Sequence, residues 1–382
     1  NSAQILRHQS TFSYQDNDDF EEDYKKAAQF SEENWDADFI ITTAVQFFES
    51  VYSNKRGKLR KMHNMADSIL VFDEAHLMPQ NWLQPCLQAV SFLTKYFHSE
   101  AVFLTATMPD FKKLVQKYAL SSSQVTYLIE DTSAFHNFKK CHYVKMGEMS
   151  QSQLLQEAQK QPSALIIVNS KKMAKELYQL CTGKKYHLST YMAACDRQRV
   201  IDEIKADLEL LEWDFPEDRR ITIISTSLIE AGVDLDLFSV YRELTGLDSI
   251  LQSGGRCNRE GKRKDAVTYV FSFIETKDQK QPDIRVELTR GLLEKYDEIS
   301  APECITEYYD RLFHMKEEQI ENHTIGSECS DINCIPFRSY GEKFKIIDAF
   351  TASVAVGRDD KSRELIRQLE YTGQCNVREL QK

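Results

Sequence analysis

At 382 residues the chain exceeds one ordinary domain, and with 42% hydrophobic and 11% aromatic residues it can fill two or three cores. Its net charge of −11 argues against a nucleic-acid-binding surface over the whole molecule, since polyanion binding is driven by cations, but it leaves room for a local groove. Nine cysteines (Cys86, Cys141, Cys181, Cys195, Cys257, Cys304, Cys329, Cys334 and Cys375) form no C-x-x-C pair, which argues for reduced thiols and against a zinc site. With no bilayer-length apolar run and no signal-peptide pattern, the reading is a soluble cytoplasmic protein, and a first residue that is Asn1 rather than Met predicts a start inside a longer one.

Asn1 to Asp38 passes from a basic, polar piece into an acidic run between Asp16 and Glu33, read as a solvated loop or helix face. Phe39 to Thr43 is a short β-like run, and Ala44 to Tyr52 reads as a helix with Val45, Phe48 and Tyr52 on one stripe. Thr42 and Thr43 thus fall at a strand end and helix start, where hydroxyls and free amides can grip a phosphate; a plain threonine N-cap is the alternative. Lys55 to His63 is basic, either a nucleic-acid contact or a charged surface loop.

The next stretch, Ser68 to His76, is an apolar β-favouring run ending in Asp73-Glu74-Ala75-His76. A buried parallel strand that delivers carboxylates to the sheet's carboxyl edge has this form. Hydrolysing a nucleoside triphosphate needs a carboxylate to hold Mg²⁺ and a second group to orient water. Asp73 suits the first role and Glu74 the second, while His76 could relay between nucleotide and neighbouring domain; a strand followed by a solvated acidic turn is the alternative. A helix over Trp82 to Phe97 and a strand over Ala101 to Leu104 follow, the strand ending in Thr105-Ala106-Thr107, whose hydroxyls either couple nucleotide state to a moving surface or cap the next helix.

Periodicity fades from Asp131 to Lys140, placing a domain boundary there. A second alternating set has helices near Gln151 to Lys160, Lys171 to Cys181 and Asp196 to Leu210, and strands at Ala164 to Val168, Tyr186 to Thr190, Ile221 to Ile224 and Phe238 to Leu244. Such alternation predicts a second parallel α/β domain. In Gln252 to Lys262, Arg256 and Arg259 are predicted on one side of a helical turn, where permanent planar cations match phosphate oxygens; a solvated basic loop is the alternative. Beyond Ile274 the signals weaken: helices over Leu288 to Ile299 and Thr306 to Glu321, a loop over Glu328 to Asn333, and short strands at Ile335 to Arg338 and Phe344 to Ile347.

Together, D-E-A-H, T-A-T, S-T-S-L-I-E-A-G-V-D-L-D and Q-S-G-G-R-C-N-R resemble the ordered motifs of superfamily 2 helicases. I-T-T-A-V-Q-F-F-E-S, G-R-C-N-R-E-G and I-P-F-R followed by E-K-F-K-I-I-D narrow the resemblance to the CRISPR-associated helicase-nuclease of type I systems, over about Asp38 to Val356. The resemblance implies an α/β chain with two RecA-like parallel-sheet lobes, an incomplete first at 1–135 and a second at 136–277, then a smaller C-terminal accessory region at 278–382.

It further implies ATP and Mg²⁺ as cofactors, with Asp73 on the metal, Glu74 activating water, His76, Gly232, Asp234 and Gln252 at the nucleotide, and Arg256 and Arg259 reaching the γ-phosphate. Thr42, Thr43, Asn169 and Thr226 would touch single-stranded DNA, and Thr105 and Thr107 would couple the two events. The implied partners are single-stranded DNA and an RNA-guided surveillance complex, with no membrane. Three departures stand out: a G-x-x-x-x-G-K-[ST] loop is absent, no His precedes an Asp as the family's nuclease requires, and Ser253 stands where related helicases often carry arginine. The first two imply truncation upstream of Asn1, so the chain alone is expected neither to hydrolyse ATP efficiently nor to cut DNA. An RNA helicase of the D-E-x-H type and a nucleotide-free scaffold remain the alternatives.

Overall fold

The computed structural model describes residues 5–9, 22–105, 110–120, 125–129, 140–211, 220–230, 233–263, 266–274, 283–322, 336–347, 356–357 and 360–372. They fall into two compact units, one of residues 1–105, 114–123 and 318–382, the other of 106–113 and 124–317.

In the first unit, β1 (Ile5–His8) and β2 (Phe39–Thr42) pair in parallel and are joined through α1 (Glu22–Asn34), so much of the acidic run is helical. Then come α2 (Ala44–Val51), α3 (Arg56–Leu59), β3 (Ile69–Phe72), α4 (Leu83–Tyr96), β4 (Glu100–Phe103) and, from Leu114 on, α5 (Phe111–Tyr118). β3 pairs in parallel with β4, from Ile69 opposite Glu100 to Phe72 opposite Phe103. In α4, Leu83, Cys86, Leu87, Val90 and Leu93 are buried at helical spacing, a continuous apolar stripe. Phe72 stacks on Phe48 and on Phe103, with ring centroids 5.7 and 5.3 Å apart, and meets the edge of Phe47 at 5.4 Å. This aromatic ladder fixes α2 against β3 and β4.

The second unit holds β5 (His142–Met149), α6 (Gln151–Ala158), β6 (Ser163–Ile167), α7 (Lys171–Leu180), β7 (Lys184–Leu188), α8 (Ala194–Leu211), β8 (Ile221–Ser225), β9 (Ser239–Glu243), α9 (Leu247–Gly254), β10 (Val267–Phe273) and α10 (Ile284–Lys295). Its six strands form one sheet in the order β5-β10-β9-β6-β8-β7, and every pairing is parallel. All five residues of β6 and of β8 are buried, as expected where helices cover both faces. Each buried Leu or Ile of these strands contributes about 1.5–3 kcal/mol. Because all strands run the same way, their carboxyl ends share one edge.

The long helix α11 (Pro302–Asn322) brings Cys304, Tyr308 and Leu312 into one core with Leu292 of α10, Ile250 of α9 and Val270 of β10. Two short helices close the described chain, α12 (Phe337–Lys343) and α13 (Asp360–Thr372). The strands expected at Ile335 to Arg338 and Phe344 to Ile347 do not form. Pro336 precedes a turn of helix instead, held by Tyr340 N–H donating to its carbonyl at 3.1 Å and by an Arg338–Glu342 ion pair at 2.9 Å. Phe344 then buries itself against Tyr52 and Trp82, with ring centroids 4.5 and 4.9 Å away.

Candidate functional site

In the first unit the chemistry gathers at the ends of β2, β3 and β4. Thr43 is the N-cap of α2, its Oγ1 accepting from Gln46 N–H at 3.2 Å, and Thr42 Oγ1 donates to the His8 carbonyl at 2.9 Å. Both hydroxyls therefore have local structural duties, and Thr43 remains exposed. β3 stops at Phe72, and the chain turns through Asp73 and Glu74, both exposed. Asp73 Oδ1 accepts from Glu74 N–H at 3.0 Å.

Glu74 has φ 50° and ψ 48°, a left-handed conformation that is uncommon outside glycine. Such strain costs about 1–3 kcal/mol and persists only where the surroundings impose it. Here Ala75 N–H donates to the Leu104 carbonyl at 3.0 Å, and His76 is buried with Nδ1 2.6 Å from Thr105 Oγ1 and 3.4 Å from Glu74 Oε2. His76 thus joins the acidic turn after β3 to the end of β4. Thr107 lies outside the described residues.

In the second unit a buried polar cluster ties the sheet's carboxyl edge together. Arg242 near the end of β9 places Nε 3.0 Å from Oε1 of Glu230, donates through Nη1 to Asn169 Oδ1 at 2.7 Å, and through Nη2 to Ser249 Oγ at 3.0 Å. Glu230 also accepts from Ser249 and Ser253. Burial raises the Glu230 carboxyl pKa and lowers that of Arg242, and their mutual attraction opposes both shifts. Asn169 accepts from Arg242 and donates through Nδ2 to the Leu244 carbonyl at 3.0 Å, so its side chain fastens its own loop. Thr226 is buried beside β7, its N–H donating to the Leu188 carbonyl at 3.4 Å.

The two arginines do not share a helical turn. α9 ends at Gly254, and a left-handed Asn258 (φ 53°) lies between them. Arg256 is buried, with Nε and Nη2 donating to the carbonyls of Ile229 and Glu230 at 3.1 and 2.7 Å. Arg259 is partly exposed and pairs with Asp234 at 2.6 Å, while its N–H donates to Asp236 Oδ1 at 2.8 Å. Gln252 lies half-buried on α9, one turn ahead of Arg256, and Gly232 is outside the described residues. Arg242 went unassigned in the sequence, although a charge inside the apolar run S-V-Y-R-E-L is a signal for it. No cluster of three or more His, Cys, Asp or Glu able to hold a metal occurs among the described residues, and none of their helices is long and apolar enough to cross a membrane.

Residues 160–262 match the family described as CRISPR-associated nuclease/helicase Cas3, C-terminal. The CRISPR-associated nuclease/helicase Cas3 of Haloferax volcanii is 23% identical over an alignment covering 68% of this chain and 37% of the relative. Among solved structures, T. fusca Cas3 shares the fold at a TM-score of 0.63 and 18% identity, covering 84% of this chain and 46% of that one, and the same protein has been solved with ATP. A chain in a CRISPR RNA-guided surveillance complex in a pre-nicking state matches at a TM-score of 0.58 and 16% identity, covering 85% of this chain and 49% of its own length. The chain spans less than half the length of these relatives. Motif order, parallel sheet and relatives agree: the chain is similar to the Cas3-type CRISPR-associated helicases, with residues 160–262 matching the family's C-terminal part.

Proposed function

We propose that these residues form part of an ATP-dependent translocase that moves along single-stranded DNA in CRISPR antiviral defence, within a larger cytoplasmic protein acting with an RNA-guided surveillance complex. The observation that carries the reading is the left-handed Glu74, whose exposed carboxylate is offered beside Asp73 at the end of β3. In this reading Asp73 holds Mg²⁺, which suits a lone exposed carboxylate because the ion keeps most of its waters. The metal would neutralise charge developing on the phosphate oxygens. Glu74 orients and deprotonates the attacking water.

His76 transmits the state of that turn to Thr105, and Thr107 extends the same coupling. Gly232, Asp234 and Gln252 contact the nucleotide, and the Arg259 guanidinium stabilises the transferred phosphoryl group once it leaves Asp234. Arg256, fixed to the Ile229 and Glu230 carbonyls, acts on the same phosphate from a rigid base. Thr42, Thr43 and Thr226 flank the strand's backbone, and Asn169 shapes the loop beneath it. Energy from hydrolysis is used conformationally, to advance the strand.

Glu74→Gln in the full-length protein tests the assignment. Turnover should vanish while ATP binding survives; full ATPase activity in the variant would remove Glu74 from its role.

A further inference from the structure

The second unit's carboxyl edge presents more than hydroxyls. β7 ends at Leu188, and the chain turns tightly, with Tyr191 N–H donating to Ser189 Oγ at 3.3 Å and Met192 N–H to the Ser189 carbonyl at 3.1 Å. That turn holds Tyr191 out in solvent at 80% exposure. Lone exposed aromatics are common and by themselves mean little. Tyr191 differs in its company: the ammonium of Lys171, first residue of α7, lies 3.9 Å from its ring centroid.

The turn is also tied to the neighbouring loop, because the Leu188 carbonyl accepts from both Ser225 Oγ and Thr226 N–H. Lys172 is exposed beside Lys171 but lies 3.9 Å from the Glu176 carboxylate, so the cation that this end of the edge offers beside Tyr191 is Lys171. An aromatic face with an adjacent cation is what sequence-tolerant binding of single strands uses: the base stacks, and the cation takes the phosphate.

We propose that Tyr191 and Lys171 form a one-nucleotide subsite for single-stranded DNA, with the base stacked on Tyr191 and the neighbouring phosphate on Lys171. The subsite rests on the translocase reading given above. Its position at the end of β7, next to Thr226, extends the proposed strand path along the sheet edge. Base identity matters little there, since every base offers a π face.

The test is fluorescence anisotropy of a labelled oligothymidylate with the full-length protein. Tyr191→Ala should weaken binding about tenfold, as loss of one stacked base does, while Tyr191→Phe stays within about twofold. Lys171→Gln should weaken binding and lower the slope of log K against log salt by about 0.7. Moving one abasic residue through the oligonucleotide should find a position at which Tyr191→Ala costs nothing further. Equal binding by wild type and Tyr191→Ala overturns the subsite and leaves the translocase reading standing. A wild-type protein that binds no single-stranded DNA overturns both.

Discussion

Arg242 and Glu230 form an ion pair, Nε to Oε1 at 3.0 Å, with 2% and 7% of their side chains exposed. The approach lies off the Nε–H direction, so the contact is ionic in character, while Nη1 and Nη2 make the directed bonds to Asn169 and Ser249. Because the Glu230 carbonyl also accepts from Arg256, the pair sits between the loop bearing Thr226 and the turn bearing Arg256.

Removing either partner leaves a buried charge uncompensated, which costs about 3–5 kcal/mol. Arg242→Met and Glu230→Leu should each lower stability by that amount in urea unfolding, and the double variant should lose far less than their sum. Strictly additive losses would show that the two side chains act independently.

The His76–Thr105 contact links the acidic turn to the end of β4. Thr105→Val keeps the shape and removes the hydroxyl, taking away the shortest contact of the His76 Nδ1 and leaving it the longer one to Glu74, at a cost of about 1 kcal/mol. On the translocase reading proposed above, DNA-stimulated ATP hydrolysis by the full-length protein should fall about tenfold at unchanged KM for ATP, with Thr105→Ser restoring it. A change in KM alone would make the contact one of nucleotide binding.

Gly254 closes α9 against Tyr143. A Cβ there would collide with the Tyr143 hydroxyl and lie 2.7 Å from ring carbon Cζ. Gly254→Ala should cost about 1–3 kcal/mol by overpacking, measured by thermal unfolding. Adding Tyr143→Phe should recover part of the loss, and a neutral Gly254→Ala would show that β5 can shift.

His8 makes stability acid-sensitive. Trp35 Nε1 donates to His8 Nδ1 at 2.7 Å and Lys61 Nζ lies 3.4 Å from the same nitrogen, so the ring serves as a neutral acceptor. Burial, then the charges of Lys61 and Lys58, lower its pKa from 6.5 to about 4. Between those values the unfolded chain binds more protons, so stability falls as pH drops from 6.5 towards 4 and this contribution levels off below. Solvent screening of a half-buried ring keeps the slope under ~1.4 kcal/mol per pH unit. His8→Gln, which accepts without titrating, should flatten the Tm against pH curve in that window; an unchanged slope would assign the acid sensitivity elsewhere.

The strands of the second unit were legible where burial on both faces makes continuous apolar runs, as in β6 and β8. β5 was not, since Lys145 and Glu148 interrupt its pattern and its register shifts opposite Val270 and Phe271. α12 escaped for a different reason: Ile335-Pro336-Phe337 has β-like composition, and only the distant pocket made by Tyr52 and Trp82 determines what Phe344 does. At the candidate site, residue types announced Asp73 and Glu74, but the left-handed backbone that presents Glu74 has no signature in composition. The separate partners of Arg256 and Arg259 likewise depend on where α9 stops, which a spacing of three cannot specify.

The strand order has a consequence for biosynthesis. Among the described strands, β5 is the first of its sheet to be made, yet its sole partner there is β10, the last, with His142 opposite Val267. Until the ribosome has released Phe273, β5 therefore has neither edge paired, whereas in the finished sheet β10 covers one of them, and wholly unpaired strands invite pairing with other chains. Long-range parallel pairing is also slow to form. A ribosome stalled before β10 would thus display an aggregation-prone nascent chain, and chaperone demand during synthesis should end abruptly once β10 has emerged.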